Sequence, residues 1–294
     1  MKLFDAHNHL QDERLKLHQD KIVAEAQEQG IQKMVVNGSC EADWAEVTAL
    51  AKRFPELIIP SFGLHPWYVA DRTDEWKATL LKLLDATAAA VGEIGLDKWI
   101  LERPPPKALS HETGEVTRKP EARVSIQPAE LDEQEEVFVW QLRLAAERNL
   151  PASIHCLKAW GKLLEVLKRE PKPKCGFILH SFGGPKEMIP QLSELGAYFS
   201  LPGYFAHERK TRQRDAFRQV PLDRLLIETD APDQSLPSDK VRFPLNDPAG
   251  QPINHPANLK AVYEFGAKPT GLALENLSEI VEANFNRLFG HLCR

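Results

Sequence analysis

Short apolar runs alternate with amphipathic stretches along almost the whole chain. The runs at 3–6, 33–37, 57–63, 88–94, 151–155, 176–180, 197–201 and 225–228 are four to seven residues long. That is too short for a helix. The runs are also continuous rather than alternating, the pattern of strands covered on both faces in a parallel sheet. Between them apolar residues recur at helical spacing, as in Trp44, Val47, Leu50 and Ala51, or Val137, Trp140, Leu144 and Ala145. This spacing predicts helices near 18–29, 41–54, 73–86, 130–149, 158–169 and 208–219, the first stopped by Gly30. A further helix is expected to start at Ser181-Phe182-Gly183-Gly184-Pro185. After a Pro-rich loop at 233–256, two closing helices are expected at 258–267 and 273–288.

Strand–helix alternation argues an α/β protein with right-handed crossovers. A doubly wound open sheet would also alternate. Eight repeats with polar residues at many strand ends favour closure into a (β/α)8 TIM barrel. The expectation is a single domain over 1–294, with an extended loop after the fourth strand and extra C-terminal helices. That loop, at 98–127, lacks periodicity and contains Pro104-Pro105-Pro106, His111, Arg118, Lys119 and Arg123. It reads either as a lid over the strand ends or as a solvated insertion.

Length and composition narrow the picture. A chain of 294 residues, 43% hydrophobic and 27% charged, suits one such barrel of about 250 residues or more. The net charge of −5 argues against a protein that grips nucleic acid by bulk charge. A phosphate-bearing substrate would need metals or a local patch. No window resembles a membrane span, and Met1-Lys2 leads straight into a strand, so a cytoplasmic protein without a signal peptide is expected. No obligatory protein partner is evident. Cys40, Cys156, Cys175 and Cys293 lack CxxC spacing. GxGxxG and GxxxxGK[ST] are absent.

The chemistry lies at the strand ends. His7 and His9, one residue apart on an extended chain, project to the same side and can reach one metal ion. Glu93, His155, His180 and Asp230 each close a later apolar run, and strand ends at one face of a barrel are where distant residues meet. Taken singly, each has a structural reading: a hydrogen-bonded histidine, or an aspartate capping the turn before Pro232. Together, four histidines and two carboxylates at one mouth call for cations. Glu93 can bridge two of them. One would take His7, His9, Glu93 and Asp230, and the other Glu93, His155 and His180. A water or hydroxide between two metals would be the nucleophile, with Asp230 accepting its proton. Asp5 is read as orienting a ligand imidazole or capping the strand end. Zn, Mn, Co and Mg all suit the donor set.

Several stretches carry a resemblance: Asp5-Ala6-His7-Asn8-His9, Gly63-Leu64-His65-Pro66, Gly92-Glu93-Ile94-Gly95-Leu96-Asp97, Ile154-His155-Cys156, His180-Ser181-Phe182-Gly183-Gly184 and Glu228-Thr229-Asp230-Ala231-Pro232. Asn254-His255-Pro256 and Asn284-Phe285 also fit. In this order, over nearly the whole chain, they resemble the TatD family of metal-dependent deoxyribonucleases, within the amidohydrolase-like superfamily. The resemblance implies a (β/α)8 barrel, two divalent metals and phosphodiester hydrolysis, typically in DNA from the 3′ end. It implies metal ligands at His7, His9, Glu93, His155, His180 and Asp230, and His65 near the substrate phosphate. Asp230, through its proton transfer, and Glu93, through its bridge, are read from their chemistry as the catalytic residues.

Asp97 and Lys158 are further candidate substrate contacts. Lys158 follows Leu157, where the family has an arginine, and a lysine does not replace that bidentate fork. The loop after Asp97 is longer than in the family, and the usual Arg-Asn pair before Asn254 is missing. Arg209, Lys210, Arg212 and Arg214 could attract phosphate or form a solvated helix face. Trp67, Trp99 and Tyr204 could stack a base or pack beneath a loop. The rival readings are an amidohydrolase or lactonase acting on a small cyclic amide or ester, and a barrel that has lost catalysis and only binds.

Overall fold

The computed structural model describes residues 1–102 and 128–293. The insertion read as a lid or a solvated loop, with Pro104–Pro106, His111, Arg118, Lys119 and Arg123, lies outside the described residues beyond Glu102.

Strands and helices alternate as β1 (Leu3–Asn8), α1 (Gln19–Glu28), β2 (Ile31–Asn37), α2 (Trp44–Arg53), β3 (Ile58–Phe62), α3 (Trp76–Ala86), β4 (Ala90–Asp97) and α4 (Leu131–Arg148). They continue as β5 (Ala152–Leu157), α5 (Trp160–Arg169), β6 (Phe177–Leu179), α6 (Ile189–Glu194), β7 (Ala197–Pro202), α7 (Thr211–Phe217) and β8 (Leu225–Glu228). A two-stranded antiparallel ribbon, β9 (Leu245–Asn246) with β10 (Pro252–Ile253), precedes α8 (Leu259–Thr270) and α9 (Leu274–Phe289). The eight strands pair in chain order and every recorded pair is parallel. The sheet then comes round on itself. The amide of Asp230 donates to the His7 carbonyl at 2.9 Å and that of His9 to the Ala231 carbonyl at 2.7 Å. The result is a nearly closed (β/α)8 barrel with C-terminal helices. Among the described residues no helix is long and apolar enough to cross a membrane.

Burial explains why the strands read as unbroken apolar runs. Every residue of β1, β3, β4, β7 and β8 is buried, packed between the barrel axis and the outer helices. The closing helices seal β1. The Tyr263 hydroxyl of α8 accepts from the Phe4 amide at 3.0 Å and donates to the Phe4 carbonyl at 3.1 Å. Phe285 of α9 packs its ring 4.9 Å from that of Phe4.

Three local expectations change. The segment after β6 does not enter a helix at Ser181. Ser181 is left-handed (φ 47°), Pro185 is extended, and α6 begins only at Ile189 after a short turn at Lys186–Met188. Pro185 disfavours a helical residue before it, and a Cβ at position 184 would sit 2.8 Å from the rings of Phe182 and Trp160, so only glycine fits there. The helix expected at 208–219 is α-helical only over Thr211–Phe217. The Pro-rich loop holds the small ribbon.

Gly95 of β4 lies opposite His155 of β5. Its φ is +143°, and a Cβ there would sit 2.0 Å from the His155 carbonyl oxygen. Neither the backbone conformation nor the gap admits a side chain. Gly95→Ala is expected to lower stability by about 2 kcal/mol or more, read as the loss in thermal midpoint of the purified protein. An unchanged midpoint would show that β4 and β5 can part without penalty.

Candidate metal centre

The polar ends of β1, β4, β5, β6 and β8 converge on one mouth of the barrel. His7 lies within β1 and His9 just past it. Glu93 is buried within β4, His155 belongs to β5, His180 follows β6, and Asp230 lies two residues beyond β8. The backbone bonds that close β1 against β8 also place Asp230 beside His7 and His9. Asp230 itself is left-handed (φ 52°), a conformation a non-glycine residue adopts only where its surroundings hold it.

The two oxygens of Glu93 divide the cluster. Oε2 lies 3.3 Å from His9 Nε2 and 3.5 Å from His7 Nε2. Asp230 Oδ1 lies 3.5 Å and 3.7 Å from the same two nitrogens, which are 3.2 Å apart. Oε1 faces the other way, 2.8 Å from His180 Nε2, 3.0 Å from His155 Nδ1 and 3.3 Å from His65 Nε2. His155 Nδ1 and His180 Nε2 are 3.1 Å apart.

The outer nitrogens decide what the inner ones offer. His9 Nδ1 lies 2.8 Å from the Asn37 carbonyl, which can only accept, so a neutral ring carries its hydrogen there and turns a lone pair inward. His155 Nε2 is held by Asp97 Oδ2 at 3.1 Å, which likewise leaves Nδ1 as the inward lone pair. His7 Nδ1 meets Ser153 Oγ at 2.8 Å. His180 Nδ1 is buried without a hydrogen bond among the described residues, 3.9 Å from Glu228 Oε1.

Imidazole lone pairs aimed at one another and at carboxylates repel unless a cation lies between them. Ligand atoms around a tetrahedral ion with bonds of about 2.0–2.1 Å sit roughly 3.3–3.4 Å apart. The 3.2–3.7 Å separations among His7, His9, Glu93 and Asp230 span that value, and those among Glu93, His155 and His180 are shorter, at 2.8–3.1 Å. The donor set therefore fits divalent ions. His65 is built differently. Its Nδ1 accepts from the Trp67 amide at 3.1 Å, so a neutral ring presents an Nε2–H to the centre. His65 is thus arranged as a donor, unlike His9 and His155.

Protons partly stand in for cations. Burial disfavours charge on His155, but its hydrogen bonds to Asp97 and Glu93 outweigh that and raise its pKa to about 10. His9 rises well above the imidazole range against the same burial, through Asp230 and Glu93, and His180 rises mainly through Glu93. Burial and the neighbouring His180 instead push His7 down to about 4, and burial lowers His65. Burial would raise Glu93 and Asp230; the surrounding histidines hold both below the usual carboxylate range, Glu93 far below.

A supporting shell surrounds these groups. Asp97 is fully buried. Its Oδ2 takes His155 and, at 2.5 Å, the Trp67 indole N–H, and its Oδ1 accepts from the Ile100 amide at 3.0 Å. Gln134 on α4 brackets the Asp97 backbone, accepting at 2.8 Å and donating at 3.1 Å, and Gln141 does the same to Leu64 beside His65. Asp5 ties β1 to β8 by accepting from the Thr229 amide at 2.9 Å and hydroxyl at 2.5 Å. Burial pushes its carboxyl up to about 7. Glu228 accepts from the Ser181 amide at 2.7 Å, the Ser181 hydroxyl at 2.6 Å and the Ser200 hydroxyl.

The glutamines and serines escaped the sequence reading. Gln134 and Gln141 did leave a signal, because they occupy the helix face that carries Val137, Phe138 and Ala145. Polar residues in a buried stripe need partners.

Other candidates lie outside the cluster. Lys158 is exposed, with φ 56°, and pairs with Glu102 at 2.6 Å. Arg214 donates to the Phe205 carbonyl at 2.8 Å and the His207 carbonyl at 2.5 Å, and Arg209 and Lys210 flank the Tyr204 ring. Trp67 and Trp99 stack with ring centroids 6.1 Å apart. His255 is buried and caps the turn that precedes α8.

A family model described as TatD related DNase matches residues 4–290. A Haemophilus influenzae protein described as an uncharacterized metal-dependent hydrolase is 31% identical over 79% of this chain and 82% of its own. An Erwinia tasmaniensis protein described as 3′-5′ ssDNA/RNA exonuclease TatD is 28% identical over 78% of this chain and 80% of its own. The crystal structure of YjjV, a TatD homolog from Escherichia coli, superposes with a TM-score of 0.79 at 25% identity over 98% of both chains.

Proposed function

The chain belongs to the TatD-related DNase family of metal-dependent hydrolases, and from that premise we propose that it is a two-metal phosphodiesterase releasing nucleotides from the 3′ end of single-stranded DNA or RNA. The observation that carries the reading is the split Glu93 carboxylate, one oxygen facing His7, His9 and the Asp230 side and the other facing His155 and His180. An anionic bridge of that kind suits two cations about 3.5–4 Å apart. His7, His9, Glu93 and Asp230 would hold one, and Glu93, His155 and His180 the other. When bound, Zn, Mn, Co or Mg would supply Lewis-acid polarisation and an activated water.

The remaining work belongs to the chain. Asp230, ionised at neutral pH, takes a proton from the attacking water and returns it to the leaving oxygen. His65 offers its Nε2–H to a phosphate oxygen. Lys158, exchanging Glu102 for substrate, adds a point charge at the rim. Asp97, with both oxygens engaged, acts through His155 and fixes its tautomer. The relatives named as 3′-5′ ssDNA/RNA exonucleases support single-stranded nucleic acid as substrate.

The test presents metal-loaded protein with 3′-labelled single-stranded DNA and RNA, a bis(p-nitrophenyl) phosphodiester, a phosphomonoester and a lactone. Divalent-dependent, chelator-sensitive release of labelled mononucleotides is expected. Intact oligonucleotide alongside turnover of the lactone would move the assignment to a small cyclic ester or amide.

A further inference from the structure

Asp230 is held from behind by a residue that no reading of the metal shell includes. Gln234 lies in the loop after β8 with its backbone in the left-handed region (φ 49°). Its side chain turns back toward the mouth, with Nε2 2.6 Å from Asp230 Oδ2 and 2.5 Å from Ser181 Oγ. The amide nitrogen has two hydrogens and finds two acceptors. The Ser181 hydroxyl hydrogen is already given to Glu228 Oε1 at 2.6 Å, so its oxygen is free to accept. The opposite amide orientation would set a carbonyl against a carboxylate, so the partners fix which atom is which.

The neighbouring residue anchors the same loop. Asp233 receives two hydrogen bonds from Arg14, at 2.9 and 2.8 Å, and Arg14 is also bound to Asp12 through two at 2.9 Å. Positions 233 and 234 thereby join the loops that follow β1, β6 and β8.

We propose that Gln234 is a positioning residue that occupies Asp230 Oδ2, leaving Oδ1 alone to face His7 and His9, and ties this carboxylate through Ser181 to Glu228 beside His180. The inference rests on the two-metal reading. An amide N–H donates without passing a proton on, so Gln234 sets geometry and leaves proton transfer to Asp230. Losing the donor frees Oδ2, and the carboxylate can then turn away from the single-oxygen presentation its partners now impose.

Two variants test this in the full chain. Gln234→Leu removes both donors. Gln234→Glu keeps size and shape but opposes a carboxylate to Asp230. Metal-stripped protein is titrated with Co2+ by visible absorption, with circular dichroism as a check of folding, and kcat and KM are then measured. In both variants one of the two Co2+ affinities is expected to fall about 10–100-fold, with its absorption band altered and kcat reduced while KM stays within about twofold. A space-filling role predicts wild-type affinities and spectra in the uncharged Gln234→Leu, and that result overturns the proposal. So does wild-type behaviour of Gln234→Glu. A wild-type protein that takes one equivalent of Co2+ removes the second cation from the proposed function, and Gln234 then stands or falls on that one affinity.

Discussion

Glu93→Gln is expected to lower turnover by about a thousandfold or more, equivalent to about 4 kcal/mol of transition-state stabilisation, and to remove tight binding of both cations together. The substitution keeps volume and shape but replaces the anion proposed as the bridge with a neutral amide. Five imidazoles lie around this one carboxylate, and its two oxygens face different subsets of them. With the charge gone, two divalent ions would stand close together without the anion that screens them. Truncation at His180 should weaken chiefly the site on the Oε1 side. The contrast between the two variants therefore reports bridging, beyond mere membership of the shell. Metal content after gel filtration, measured beside kcat, decides it. Two retained equivalents in Glu93→Gln would refute the bridge.

The barrel was legible because its strands are covered on both faces. Such strands need continuous apolar runs, and runs like 197–201 announce themselves without any partner in view. The candidate ligand side chains stood out for a related reason. A charged or imidazole group ending an apolar run breaks the pattern, and a parallel barrel gathers those breaks at one mouth. His65 owed its place to the family resemblance, since the sequence alone does not show that the Trp67 amide fixes its tautomer.

What was not legible depends on pairings between distant segments. Ser181 and Gln234 are ordinary loop residues until Asp230 and Glu228 are set beside them. Asp97 reads as a residue available to substrate until His155, Trp67 and the Ile100 amide are seen to occupy it. The helix expected at Ser181 failed because left-handed backbone at Ser181 and extended backbone at Pro185 override the local pattern.

Removing the metals should cost more stability as pH rises. In the metal-free protein, burial opposes charge on His155, yet Asp97 and Glu93 raise its pKa from 6.5 to about 10. A group whose folded pKa exceeds its unfolded value contributes stability that is complete below 6.5 and disappears as pH climbs through about 10. His9 and His180 are raised in the same sense. His7, lowered to about 4, contributes in the opposite sense, but only below 6.5, so it does not offset the others in this window. Cations compete with these same protons, and each proton displaced tightens metal binding about tenfold per pH unit, or about 1.4 kcal/mol. The metal-free form therefore loses stability while the metal-bound form is protected. The gap in thermal midpoint between chelator-treated and metal-saturated protein should widen steadily from about pH 6.5 to about pH 9. A gap that stays constant or narrows over that range would mean that protons do not occupy the nitrogens assigned to the cations, and the ligand set would have to be redrawn.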